Sequence, residues 1–237
     1  MRLSDFSALS FDCYGTLIDW ETGLWTALRP MAERAGVARE PALEAFAAAE
    51  SQQEQATPGM LYSALLSAVH AQLARRWNVA ADETESARFG ASVGDWPAFA
   101  DTPAALRALQ QHYKLIILSN VDRASFAGSL PRLGVAFDLV CTAEDVGSYK
   151  PDPRNFAYLI EKLAGVGIAR DQVLHTAQSL YHDHAPANAA GLASAWIDRR
   201  GGAPGGGATS APPPGVRYDF RFTTLAEMAA ARSAETV

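Results

Sequence analysis

Short apolar segments rich in β-branched residues recur along the chain, separated mostly by long intervals with helical periodicity. They are SALSF at 7–11, LIILS at 115–119, DLVCT at 138–142, QVLHTA at 172–177 and ASAWI at 193–197. Continuous apolar strands that alternate with helices are typical of a parallel sheet covered by helices on both faces. The alternation therefore predicts an α/β fold built on a parallel sheet.

The interval between the first two segments, residues 17–99, is too long for one crossover and shows only helical patterns. Apolar residues recur there every four positions, at Leu61, Leu65, Val69, Leu73 and Trp77, which indicates one apolar face of a helix. We predict an all-helical subdomain at 17–99, inserted into a core formed by 1–16 and 100–237. The Gly- and Pro-rich segment at 201–215 predicts a surface loop.

Charge and composition exclude several classes of partner. The net charge is −6, without the basic cluster of a nucleic-acid-binding protein. No apolar run approaches the roughly 18 residues of a membrane span, and no signal peptide is visible. Two isolated cysteines predict neither a disulfide framework nor a zinc site. We therefore expect a cytoplasmic protein whose partner is neither nucleic acid nor a membrane.

Polar residues come directly after the predicted strands or in the connections that follow them. Asp12 follows the first strand, Ser119 and Asn120 end the second, Lys150 comes after the third and Asp183 after the fourth. Parallel sheets bind their ligands at the carboxyl ends of the strands. We expect these five side chains to converge on one site.

These residues stand in four motifs that resemble those of the haloacid dehalogenase superfamily of hydrolases. In order, the motifs are Asp12 with Gly15-Thr16-Leu17 and Asp19, then Ser119-Asn120, then Lys150-Pro151-Asp152, and finally Asp183. The resemblance implies a Rossmann-like core with a helical cap inserted after the first strand. It also implies that Asp12, Lys150 and Asp183 are catalytic.

The resemblance assigns roles that suit the chemistry of the residues. Asp12 is the expected nucleophile, forming a covalent intermediate that water then hydrolyses. Lys150 is expected to hold that carboxyl ionised and to offset charge. Thr16 and Ser119 are expected to bind the anionic group of the substrate or the nucleophile, and Asn120 to orient either partner.

Tyr14 separates two branches of the superfamily. Phosphatases of the family usually carry an acid two residues after the nucleophile, whereas a phenol with a pKa near ~10 is a poor base at neutral pH. The sequence D-x-Y-G-T-L resembles the 2-haloacid dehalogenase branch, in which the aspartate displaces halide and no metal is needed. We therefore expect no cofactor, a small anionic substrate, and Tyr14 in its binding site.

The predicted cap lacks one residue of that branch. The branch uses a cap arginine to hold the leaving halide, but residues 40–74 contain no arginine. Three glutamines are the candidates to face the site instead: Gln52, Gln53 and Gln55. Three aromatic residues are candidates for the entrance between core and cap: Trp20, Trp25 and Tyr62.

Two alternative functions remain open at this point. One is a magnesium-dependent phosphatase of small phosphate esters, in which Asp12 and Asp183 hold Mg²⁺. The other is a catalytically idle protein of the same fold that binds a small anion, for which the missing arginine is the motive. The resemblance is compatible with a homodimer.

Overall fold

A six-stranded parallel sheet forms the centre of the computed structural model, which describes residues 1–201 and 213–235. The strand order is β3-β2-β1-β4-β5-β6, with every neighbouring pair parallel. The strands are β1 (Ala8–Phe11), β2 (Lys114–Ser119), β3 (Leu139–Thr142), β4 (Val173–Ala177), β5 (Ala193–Ile197) and β6 (Phe220–Phe222). All five predicted segments form strands, which confirms the α/β fold.

The short sixth strand was not predicted. Phe220 and Phe222 are only partly buried in β6, which pairs with β5 at the edge of the sheet. A three-residue strand is too short to show a clear alternation in the sequence. Most of the Gly- and Pro-rich segment at 201–215, predicted as a loop, lies outside the described residues.

Ten α-helices are described; five of them lie between β1 and β2, and the first four of these fall within residues 17–99. These four are α1 (Trp20–Ala35), α2 (Arg39–Ala56), α3 (Tyr62–Arg76) and α4 (Glu83–Ala91). The others are α5 (Thr102–Leu109), α6 (Arg123–Leu133), α7 (Ala143–Val146), α8 (Pro153–Gly165), α9 (Ala185–Ala189) and α10 (Leu225–Ala234). None of the helices in the described ranges is both long and apolar enough to span a bilayer.

The two ends of the helical insertion lie side by side. Asp19 N donates to Pro97 O at 2.8 Å and Phe99 N donates to Leu17 O at 3.1 Å. The division into a core and a cap at residues 17 and 99 stays a prediction. The apolar face expected on α3 is buried at Leu65, but Leu61 is 46% exposed because it precedes the first helical residue.

The order of the strands determines where the site lies. β1 is paired with β2 on one side and β4 on the other, with Phe11 in register with Ile117 and Thr176. The residues that follow these three strands therefore emerge together at the carboxyl edge of the sheet. Apolar clusters pack on both faces of the sheet and hold these strand ends in place.

Candidate active site

Lys150 lies between two carboxylates at the carboxyl edge of the sheet. Its Nζ donates to Asp12 Oδ1 at 3.0 Å, to Asp183 Oδ1 at 2.6 Å and to Leu118 O at 2.9 Å. Lys150 and Asp183 are each 1% exposed, and Asp12 is 6% exposed. The three predicted catalytic side chains are thus in direct contact, and the three donor hydrogens of the ammonium all have acceptors.

Lys150 favours the charged forms of the two carboxylates, and the carboxylates favour the charged form of Lys150. Burial alone would lower the pKa of Lys150, but the two carboxylates beside it raise that pKa above its usual value. Burial opposes ionisation of Asp183 as well, yet Lys150 and His175 hold the pKa of Asp183 well below its usual range. The pKa of Asp12 is raised by burial, with Lys150 acting against this effect. Lys150 is therefore the group that favours an ionised Asp12.

Thr16 fixes the second oxygen of Asp12. Its hydroxyl donates to Asp12 Oδ2 at 2.8 Å and accepts from Gln178 N at 2.9 Å, so the direction of the hydroxyl proton is determined by the chain. Each oxygen of Asp12 has one donor and keeps further lone pairs. The carboxylate is oriented by the protein and still able to attack.

Ser119 ends β2 and Asn120 follows it, but the two side chains have different surroundings. Asn120 exchanges two hydrogen bonds with the main chain of Lys150, at 3.0 Å and 2.6 Å, and so positions the lysine. Ser119 is 1% exposed, and its Oγ has no hydrogen-bond partner among the residues that the structure describes. A buried hydroxyl without a partner is energetically costly, which points to a ligand as its partner.

Tyr14 lines the cavity, but its hydroxyl is bonded to a residue outside the lining. The hydroxyl lies 3.0 Å from Ser129 Oγ, and the ring makes an edge contact with Trp96. Burial raises the pKa of Tyr14 well above its ordinary value of 10. The phenol therefore cannot act as a base at neutral pH in this arrangement.

His175 belongs to the site and was missed at the sequence level. It lies within β4, with Nε2 3.0 Å from Asp183 Oδ1 and Nδ1 2.9 Å from Ser10 Oγ. The available signal was a histidine in a mostly apolar strand. A fully buried polar side chain needs hydrogen-bond partners, so such a histidine indicates polar neighbours. Asp183 is thus held from two sides, by the imidazole and by Lys150.

Two glutamates of α2 form the opposite wall, and they too were missed. Glu50 and Glu54 line the cavity, and Glu50 Oε1 accepts from the Tyr62 hydroxyl at 2.6 Å. Burial raises the pKa of Glu50 to about 7. Burial and the charge of Glu50 raise the pKa of Glu54 well above its ordinary value, while Lys150 and Asn120 oppose that rise. The available signal was a pair of like charges spaced i,i+4 on one helix face.

The expectation that a glutamine of this helix faces the site is wrong. Gln53 is bonded to Thr57 at 2.9 Å and to Gln72 at 2.6 Å, while Gln52 and Gln55 are exposed. None of the three glutamines lines the cavity. The face of α2 that meets the core carries Ala47, Ser51 and the two glutamates instead.

The cavity between α2 and the strand ends holds about 90 Å³. Its lining contains Trp20 and Tyr62, as expected for the entrance, but not Trp25. His182 also lines it, and burial lowers the pKa of this imidazole to about 4, so it is neutral at pH 7. All seven predicted site residues lie in this lining or, for Thr16, in contact with it through Asp12.

The two carboxylates of the magnesium alternative are both bonded to Lys150. Asp12 and Asp183 each direct an oxygen to the Lys150 ammonium, so a second cation would compete with a charge already bound there. The described ranges contain no group of three or more His, Cys, Asp or Glu side chains arranged to hold a metal.

A model of the haloacid dehalogenase-like hydrolases matches residues 6–191. No curated protein sequence matches the chain. A defluorinating L-2-haloacid dehalogenase has the same fold, with a TM-score of 0.78, 22% identity and coverage of 97% of this chain and 98% of the other.

Two further solved structures have the same fold, one with a covalently bound haloacid and one with bound magnesium. An L-2-haloacid dehalogenase from Xanthobacter autotrophicus with chloropropionic acid covalently bound has a TM-score of 0.77 at 16% identity, covering 96% and 98% of the two chains. The HAD-hydrolase YfnB from Bacillus subtilis, bound to magnesium, has a TM-score of 0.74 at 18% identity, covering 97% and 98%. The reaction of this chain depends on the side chains of its own site and not on its fold alone.

Proposed function

Because the chain belongs to the haloacid dehalogenase-like hydrolases, we propose that it is a metal-independent enzyme that displaces halide from carbon, with (S)-2-haloacids as its substrate class. The observation that carries this proposal is the setting of Asp12, a carboxylate oriented by Thr16 and paired with Lys150 at the base of a cavity.

The proposed reaction has two steps. An oxygen of Asp12 attacks the carbon that bears the halogen, the carbon–halogen bond breaks, and its electron pair leaves with the halide. The product of this step is an ester of Asp12. Water then attacks the carbonyl carbon of the ester, which releases a hydroxy acid and a proton and restores the carboxylate. Lys150 stabilises the anionic form of Asp12 at the start and end of the cycle.

Tyr14 and Lys150 favour this reaction over phosphate-ester hydrolysis. An alcohol leaving group needs a proton, but the Tyr14 hydroxyl is engaged with Ser129 and its pKa is raised. A halide leaves without a proton. Lys150 bridges the two carboxylates on which the magnesium alternative depends.

Chloride release from (S)-2-chloropropionate, measured in excess chelator, tests the proposal. We expect the native protein to release chloride, and the Asp12→Asn variant, which has the same shape but is a far weaker nucleophile, to release none. Activity on phosphate esters that requires added magnesium would support the phosphatase instead. Absence of both activities and of any covalent adduct on Asp12 would support an idle binding protein.

A further inference from the structure

The cavity has an excess of carboxyl groups. Four carboxyl side chains line it, Asp12 and Asp183 at the strand ends and Glu50 and Glu54 on α2. Among the described residues of the lining, Lys150 is the one side chain that is cationic at neutral pH, since burial lowers the pKa of His182 to about 4. Lys150 is already bonded to the first pair of carboxylates.

The second pair of carboxyl groups lies on one face of the helix. Glu50 and Glu54 are one turn apart, close enough for the charge of Glu50 to raise the pKa of Glu54. Glu50 accepts from Tyr62, and Glu54 interacts with Asn120. Hydroxyl and amide donors orient these carboxyls but do not neutralise them. Burial raises the pKa of both carboxyls in the free protein, and a positively charged ligand beside them would favour their ionised forms and be bound by both.

Ser119 is an independent indication that this cavity binds a ligand. The side chain is buried and lines the same cavity, and its Oγ has no hydrogen-bond partner within residues 1–201 and 213–235. A ligand that reaches from the strand ends to α2 would satisfy this hydroxyl at one end and face the glutamates at the other.

We propose that Glu50 and Glu54 form a subsite for a positively charged nitrogen of the substrate. The preferred substrate is then a 2-halo acid with a protonated amine on its side chain, rather than a simple alkyl 2-halo acid. This inference rests on the proposed dehalogenation for the identity of the reacting end. The glutamates determine which side chain is accepted, and Asp12 performs the displacement.

Binding to the Asp12→Asn variant tests the subsite without turnover. The probes are 6-amino-2-chlorohexanoate and 2-chloroheptanoate, which have equal chain length and differ by an ammonium in place of a methyl group. Calorimetry should show the amine binding about tenfold or more tightly than the methyl compound, as expected for charge-assisted hydrogen bonds.

The preference should disappear when Glu50→Gln and Glu54→Gln are combined in the Asp12→Asn background. Retained binding of 2-chloroheptanoate by that variant would show that the cavity is still formed. Glu44→Gln is the matched control, because Glu44 is an exposed glutamate of the same helix, and it should keep the preference. Equal affinity of the parent for the two probes, no binding of either, or a preference that survives both glutamine changes would overturn the proposal.

Chloride release by the native chain separates this proposal from the proposed function. A preference in binding without chloride release from either probe would support the subsite and contradict dehalogenation. Chloride release from both probes at equal rates and affinities would support dehalogenation and contradict the subsite.

Discussion

The two walls of the cavity handle buried charge in opposite ways. At the strand ends, Lys150 neutralises Asp12 and Asp183 over distances of 3.0 Å and 2.6 Å, and each of the three comes from a different segment of chain. On α2, Glu50 and Glu54 come from one helix, and Glu50 is bonded to the neutral hydroxyl of Tyr62. The strand-end wall has its counter-charge from the protein, whereas the helical wall favours a positive charge supplied from outside.

This difference assigns the reaction to the strand-end wall, formed by Asp12, Lys150 and Asp183, and substrate recognition to the helical wall, formed by Glu50 and Glu54. A nucleophile must be ionised and oriented before substrate arrives, so its counter-charge belongs to the protein. A recognition group gains affinity by receiving its partner from the ligand. If the two walls act separately, a change in one should leave the role of the other intact.

Removal of the lysine should damage the strand-end wall most. Lys150→Met leaves two buried carboxylates without their cation, and breaking a buried ion pair in this way costs about 3–5 kcal/mol. We expect a loss of that size in the free energy of unfolding, together with loss of chloride release. The matched control is Lys114→Met, which breaks an exposed pair with Asp138 and should cost less than about 1 kcal/mol. Equal costs at the two positions would contradict the network.

Removal of the Thr16 hydroxyl should weaken catalysis with a smaller effect on folding. Thr16→Val leaves Asp12 Oδ2 and Gln178 N without their partner. We expect kcat for chloride release to fall by about 100-fold, within the range found for loss of one orienting donor. Thr16→Ser keeps the hydroxyl and should retain most of the activity; a serine variant as impaired as the valine variant would show that the methyl group matters instead.

The strand-end wall could be predicted from the sequence because the order of the parallel strands determines where its residues lie. Asp12, Ser119 and Lys150 follow buried strands, and the ends of adjacent parallel strands must meet. Glu50 and Glu54 lie on a helix whose rotation relative to the sheet depends on side-chain packing. The composition of α2 gave little guidance, because small alanines occur around most of its circumference. The sequence did not indicate His175, because only the fold brings it together with its partners, Ser10 on β1 and Asp183 after β4.

Neutralising the helical wall should improve the use of a simple substrate. Glu54→Gln removes a carboxyl group that faces the cavity and keeps its shape. At a pH above the raised pKa of Glu54, where this carboxyl is ionised, we expect kcat/KM for (S)-2-chloropropionate to rise by about tenfold, because a like charge no longer opposes the anionic substrate. Steady-state chloride release compares this variant with Glu44→Gln. A fall in kcat/KM would place Glu54 among the groups that the reaction needs.

The smallest expected effect concerns stability against pH. The pKa of Glu50 is about 7 in the folded chain against an ordinary value of 4.5, so folding favours its protonated form. Its contribution to stability is complete below pH 4.5 and is lost as the pH rises through about 7, which amounts to about 1–3 kcal/mol. Urea denaturation at pH 5 and pH 8 should show this loss in the native chain and a reduced loss in Glu50→Gln. Parallel profiles for the two proteins would contradict burial of this carboxyl.

Isotope transfer tests most directly whether Asp12 is the nucleophile. With enzyme in excess over (S)-2-chloropropionate in water enriched in oxygen-18, the account predicts a hydroxy acid whose new oxygen is unlabelled. Mass spectrometry of the peptide containing Asp12 should then show one oxygen-18 atom in its carboxylate, because water attacks the ester there. Labelled product beside an unlabelled Asp12 would mean that water attacks the substrate directly, and would contradict the central claim.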